Sequence, residues 1–176
     1  MILTGPEIAR EHGRKRLVLE PFDAAKVQPN SYNLTLGPTL VRYTSEVLDA
    51  RRPNPFEEVP IPDDGFVLEP DRIYLGSSVE VLGSKHFVPI IRARSGAARL
   101  GLFVHVTADL IDIGSVGQST FQLHAVERVR VYAGDQLAQV TFWRPQGEIT
   151  LYDGKYQGSR GPRPSQIHLD PVSAGR

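Results

Sequence analysis

The chain has 176 residues, 40% hydrophobic and 23% charged, and its 20 Lys+Arg balance 20 Asp+Glu to a formal net charge of +0. That length suits one domain around a single core, and the neutral balance excludes a broad nucleic-acid or membrane-facing surface, so any anion site must be local. Cys 0 excludes disulfides and the His/Cys/Cys zinc site of the common nucleobase deaminases. No run approaches the roughly 18 apolar residues of a membrane helix, and Met1-Ile2-Leu3 is followed by no apolar leader, so a cytoplasmic location is expected.

In chain order, Thr4-Gly5-Pro6-Glu7 reads as a capping box with proline in the first turn and predicts a short helix to about His12. Tyr32, Leu34 and Leu36 alternate with polar residues and predict a strand buried on one face. Leu40 to Tyr43 is a second short strand. Ala50 to Asp64, with several prolines and mixed charge, reads as an excursion over the surface. Phe66-Val67-Leu68, Ile73 to Gly76 and Val79-Glu80-Val81 are further strands separated by turn signals.

The richest stretch is Arg94-Ser95-Gly96-Ala97-Ala98-Arg99-Leu100-Gly101-Leu102. Ser95 is expected to cap a short helical turn and Gly101 to end it. Backbone N–H groups, a hydroxyl and two guanidiniums then face outward together, which suits a polyphosphate. The same composition also fits a solvated surface loop. A strand from Leu102 to Ala108, a turn-rich segment from Asp109 to Gly117 and a strand from Ser119 to Ala125 follow. Val129 to Tyr132 and Gln136 to Trp143 read as two more strands around the turn Ala133-Gly134-Asp135. Tyr152 to Pro164 is a Gly-, Arg- and Pro-rich tail, with fraying expected past Gln166. About ten short strands and little helix argue for one all-β domain, a barrel or jelly roll, spanning residues 1–176.

Five segments, in order, resemble the dCTP deaminase branch of the dUTPase superfamily. They are Asn30-Ser31-Tyr32-Asn33-Leu34-Thr35-Leu36-Gly37, Arg94 to Leu102, Val104-His105-Val106-Thr107-Ala108 with Ile111-Asp112, Ala133 to Gln139, and Gly154-Lys155-Tyr156-Gln157-Gly158 with Arg160-Gly161-Pro162. The resemblance implies a homotrimer of distorted β-barrels with short helices. Sites lie at subunit interfaces, and a tail from about residue 152 closes over bound nucleotide. It implies that Arg94, Ser95, Gly96 and Arg99 hold the triphosphate of dCTP or dUTP, with Mg²⁺ carried by the phosphates and no zinc. Asp112 takes the deoxyribose 3′-hydroxyl or, as in the pyrophosphatase relatives, orients the attacking water. The backbone at Val106 and Ala108 flanks the pyrimidine. Thr120, Phe121 and Gln122, with Gln139, Tyr152, Lys155 and Ser159, complete the contacts. Neither nucleic acid nor membrane is implied as a partner.

The family deaminates through one glutamate on the strand after Asp112, and Gln122 occupies that position here. An amide holds a base and a water but does not carry a proton. Gly96 stands where a second phosphate serine is usual, and Ser159 where a tail glutamine is usual. Gln122 is therefore read as an exchange that traps substrate, as altered chemistry, or as the mark of a binding-only protein. The corresponding functions are slowed deamination of dCTP to dUTP and ammonia, pyrophosphohydrolysis through Asp112, and a non-catalytic nucleotide-binding trimer. His124 shares the face of Gln122 on a regular strand and offers a replacement proton carrier, or more plainly a histidine bonded at a subunit contact. His105 is expected in the core or an interface, Asp109 in solvent, and Trp143 in packing.

Overall fold

A computed structural model describes residues 1–105 and 107–171. Helix α1 (Gly5–Gly13) forms where expected, with proline in its first turn, but its N-cap Thr4 makes no side-chain capping bond. The first orphan donor, Gly5 N, is instead satisfied by the Pro29 carbonyl at 2.8 Å. Ile8 and Glu11 are fully buried on its inner face. Arg14 (3.0 Å) and Arg16 hold the Glu11 carboxylate. The Arg16 hydrogen bond keeps its pKa below the usual carboxylate range despite the desolvation.

The strands are β1 (Val18–Glu20), β2 (Tyr32–Leu34), β3 (Thr39–Tyr43), β4 (Phe56–Pro60), β5 (Phe66–Leu68), β6 (Ile73–Gly83), β7 (Val88–Ala93), β8 (Leu102–Phe103), β9 (Val116–Ala125), β10 (Val129–Val131) and β11 (Ala138–Trp143), with helix α2 (Ser95–Arg99) before β8. They form a six-stranded sheet in the order β4-β3-β6-β9-β8 with β1 also on β6, a β2-β11-β7 sheet and a β10-β5 pair. Every pairing between these strands is antiparallel, so the mainly β reading holds. Leu34, Leu36, Leu40, Phe87, Phe121 and Phe142 belong to one buried core.

Five expectations need correction. Residues 56–60, read as surface excursion, pair with β3 as an edge strand; Phe56, Glu57 and Glu58 are exposed, so no alternation of burial marks the strand. The two strands read at 73–76 and 79–81 are one strand, β6, whose register shifts between Ser77 and Val81. There Ser78 Oγ donates to the Glu80 carbonyl at 2.7 Å and accepts from Ser119 N at 2.9 Å, bridging the irregular ladder. β2 is buried on both faces, Asn33 included. The strand expected from Leu102 to Ala108 ends at Phe103, and the Val104 carbonyl meets the His105 ring at 2.9 Å rather than a neighbouring strand. Of the stretch expected to fray past Gln166, residues 167–169 form a 3-10 turn, and residues 172–176 lie outside the described residues.

One buried charge stands in the β6 irregularity. Glu80 is fully buried and accepts from Lys26 Nζ at 2.7 Å, Thr35 N at 2.9 Å and Thr35 Oγ1 at 2.8 Å.

Candidate functional site

Strand β9 builds the site by simple alternation. Phe121, Leu123 and Ala125 enter the core, so Gln118, Thr120, Gln122 and His124 project from the opposite face. Between that face, the segment after β8 and the tail lies a cavity of about 390 Å³, lined by Ala108, Ile111, Gln118, Thr120, Gln122 and Ser159 among others. That volume is in the range of small-molecule sites. Gln122 also borders a wider recess of about 1110 Å³ together with His124, Arg42 and Arg72. Leu75 lies opposite Gln122 in the sheet, and Tyr43 borders both spaces.

Gln122 is held at one end only. Its Nε2 donates to the Thr120 carbonyl at 3.3 Å, while its Oε1 is buried without a partner. A buried unpaired acceptor costs about 1–3 kcal/mol, a cost that a ligand's donor removes. His105 borders the same cavity, with its ring edge-on to Phe121 at 5.9 Å. Burial holds its pKa below the usual histidine value, outweighing the Val104 carbonyl and the charge of Asp109. The carbonyl can only accept, so Nδ1 carries the proton and Nε2 keeps a lone pair.

The tail runs along β9 of its own chain. Gly158 N donates to the Val116 carbonyl and Gln118 N to the Ser159 carbonyl, both at 2.9 Å. Gly161 N reaches Gln118 Oε1 at 2.7 Å, and Arg163 N reaches Thr120 Oγ1 at 3.0 Å. Gly117 permits this approach, since a Cβ there would stand 2.8 Å from Ser159 N. Ser159 Oγ donates to the Tyr156 carbonyl at 2.6 Å, so its hydroxyl hydrogen is spent within the tail. Lys155 is paired with Asp170, and the Tyr152 hydroxyl accepts from Tyr156 N at 3.1 Å.

The arginine-rich stretch forms a separate group. Ser95 opens α2 rather than capping it; Arg94 is the N-cap residue and makes no side-chain capping bond. Arg94 Nη1 instead donates to the Gln136 carbonyl at 3.1 Å. Gly101 ends the turn with φ 74, as expected. A Cβ at Gly96 would meet nothing within 4 Å. Gln139 sits beside this group, accepting from Ser31 Oγ at 2.9 Å and donating to the Ala93 carbonyl at 3.3 Å. Exposed Arg99 borders a shallow groove with Arg128 and Arg130.

Within one chain, then, Ala108, Thr120, Gln122 and Ser159 come together, while Arg94, Ser95, Gly96, Arg99 and Gln139 border neither space beside Gln122. Asp112 is exposed in the turn between them, and its neighbours Ile111 and Ser115 reach the cavity where it does not. Val106 lies outside the described residues. The Phe121 side chain is in the core, so its backbone is the part left to face a ligand. Asp109 is in solvent as expected, its side chain 43% exposed, and lies 3.7 Å from exposed Arg92 of β7. Trp143 is 39% exposed, with Nε1 donating to Thr141 Oγ1, so it is no packing residue within the chain. Sequence reasoning missed Tyr43, Gln118 and Arg163 as wall residues; the alternation that placed Gln122 was signal enough for Gln118.

These features define a β domain with a cavity of small-molecule size between a strand face and its own tail. A family model described as dCTP deaminase-like matches residues 2–145. A "dCTP deaminase, dUMP-forming" of Clostridium beijerinckii is 42% identical over 171 residues, 97% of this chain and 98% of that one. The similarly named protein of Leptospira biflexa is 40% identical over the same shares. A "dCTP deaminase" of Rhodopirellula baltica is 41% identical over 97% of this chain and 86% of its own. Among solved structures, 2'-deoxycytidine 5'-triphosphate deaminase from Agrobacterium tumefaciens shares the fold with TM-score 0.63 at 24% identity, covering 80% of this chain and 47% of that one. The chain belongs to the dCTP deaminase-like family.

Proposed function

We propose that the protein is a homotrimeric hydrolase of dCTP, in which deamination is slow because Gln122 stands where a proton carrier is needed. The observation that carries this reading is the half-satisfied amide of Gln122 on the cavity wall, with Oε1 buried and unpaired. A cytosine presents an amino donor beside the N3 acceptor, and a carboxamide complements both. The printed name of the relatives describes conversion of dCTP to dUMP. That conversion consumes two waters and releases ammonia and pyrophosphate. In this chain the amide orients the base, and Asp112 orients the water aimed at the α-phosphorus. Mg²⁺ would be brought by the nucleotide, offsetting phosphate charge, since among the described residues no group of three or more His, Asp or Glu is placed to hold a metal ion. The cytoplasm is the compartment this reading implies, and among the described residues no helix is long and apolar enough to cross a membrane.

The trimer is supported by the separation of the two groups. A cavity without the arginine cradle, and a cradle without a cavity, become one site when the cradle of one copy meets the cavity of another. Light scattering at micromolar concentration should give three times the 19.5 kDa chain mass; a monomer would sink the shared site. Arg99→Ala should weaken dCTP binding at least tenfold in titration calorimetry, since a guanidinium–phosphate contact contributes about 1.5–3 kcal/mol. Unchanged affinity would remove the cradle from the site. Gln122 itself favours a second reading, in which pyrophosphohydrolysis or binding alone survives.

A further inference from the structure

The cavity beside Gln122 has an unbalanced wall. Ser115, Thr120, Ser159 and Ser165 line it, and among the described residues no Asp or Glu does. Arg163 is the one Lys or Arg among the lining residues. Among the described residues it has no ion-pair partner. Two of the tail's other donors are engaged, Lys155 by Asp170 and the Ser159 hydroxyl by the Tyr156 carbonyl.

The root of the Arg163 side chain is fixed where it enters the wall. Its own N–H donates to Thr120 Oγ1 at 3.0 Å, and Gly161 N and Ser165 N are held by Gln118 Oε1 and the Tyr43 hydroxyl, each at 2.7 Å. Pro162 and Pro164 on either side narrow the backbone further. The Thr120 hydroxyl accepts from Arg163 N and so keeps its own hydrogen for a ligand. A forked guanidinium without a carboxylate, set among hydroxyls and on a restrained backbone, is a site for a phosphoryl group.

We infer that Arg163 is a phosphate contact delivered by the tail, standing in for the donors that Gly96 and Ser159 do not supply. This rests on the nucleotide reading above. The arginine makes the tail a reader of phosphate charge, so closure favours the triphosphate over the nucleoside.

The test titrates dCTP and deoxycytidine, each with Mg²⁺, into the full-length protein and its Arg163→Gln, Arg163→Lys and Arg99→Ala variants. Arg163→Gln should weaken dCTP about tenfold, leave deoxycytidine unchanged and reduce the salt dependence of dCTP binding. Arg163→Lys should recover part of the loss, because charge returns without the fork. The backbone bonds of the tail survive all of these substitutions at 163. An Arg163→Gln affinity for dCTP within twofold of the parent, while Arg99→Ala is weakened, overturns the inference and leaves the nucleotide reading standing. Equal losses for dCTP and deoxycytidine also overturn it, since the side chain would then be holding the tail rather than phosphate. Absence of dCTP binding by the parent protein overturns both.

Discussion

Gln122→Glu is expected to raise dCTP deamination by about 10²- to 10⁴-fold, the usual contribution of a positioned general acid–base. The change keeps the side-chain volume, and the face of β9 is already set by Phe121 and Leu123 in the core, so the strand tolerates it. What changes is proton chemistry. A carboxylate at 122 would sit near the Thr120 carbonyl, which now accepts from the amide at 3.3 Å. Two acceptors repel, so that carbonyl pushes the new carboxyl's pKa upward, against the pull of Arg42 and Arg72 across the adjoining recess. An elevated carboxyl is what taking a proton from water and returning it to the leaving amine requires. Chromatography of products from dCTP, dUTP and their ribo-counterparts checks this. An unchanged deamination rate would show a site remodelled beyond one residue, with Gly96 and Ser159 the first places to look. Brisk deamination by the unaltered protein would show that another group, such as His124 or His105 beside the same amide, carries the proton.

Lys26→Met is expected to cost about 3–5 kcal/mol of folding stability, because it strips the ion partner from a carboxylate that stays buried. Glu80 is 0% exposed and Lys26 15%, so water does not replace the ammonium. Thr35 still offers its backbone N–H and its hydroxyl, but both are neutral donors. The melting temperature should fall by about 10 °C for a chain of this size. A midpoint within about 1 °C of the parent would show that the two Thr35 donors alone satisfy the carboxylate.

How much could be read from the sequence follows from which forces act at each element. β9 was legible because Phe121, Leu123 and Ala125 alternate with Gln122 and His124 and one face is buried. β4 was not, because an edge strand carrying Phe56, Glu57 and Glu58 into solvent leaves no period. β6 read as two strands since Ser77-Ser78 has turn composition, while the real device is a register shift bridged by the Ser78 hydroxyl. The motif order of the site was plain, and Arg94, Gln122 and Gln139 fell on the expected elements. Motif order says nothing about distance, so the separation of cradle from cavity emerged only in three dimensions. Arg163 escaped notice for a related reason. Its place is set by its own backbone N–H on Thr120, and such bonds leave no trace in side-chain pattern.

That manner of holding the tail has a thermodynamic consequence. Leu151, Ile167 and Leu169 remain 44%, 50% and 62% exposed with the tail docked, and its anchors are mostly N–H groups on oxygens of β9, Tyr43 and Gln157. Lifting it exchanges those bonds for bonds to water and bares little greasy surface. Such an opening carries a small heat-capacity change and a small dependence on urea, so it proceeds far below the melting of the domain. Amide hydrogens at Gly161, Arg163 and Ser165 therefore exchange with solvent on the clock of the tail, while those of Phe121 and Leu123 wait for the whole domain.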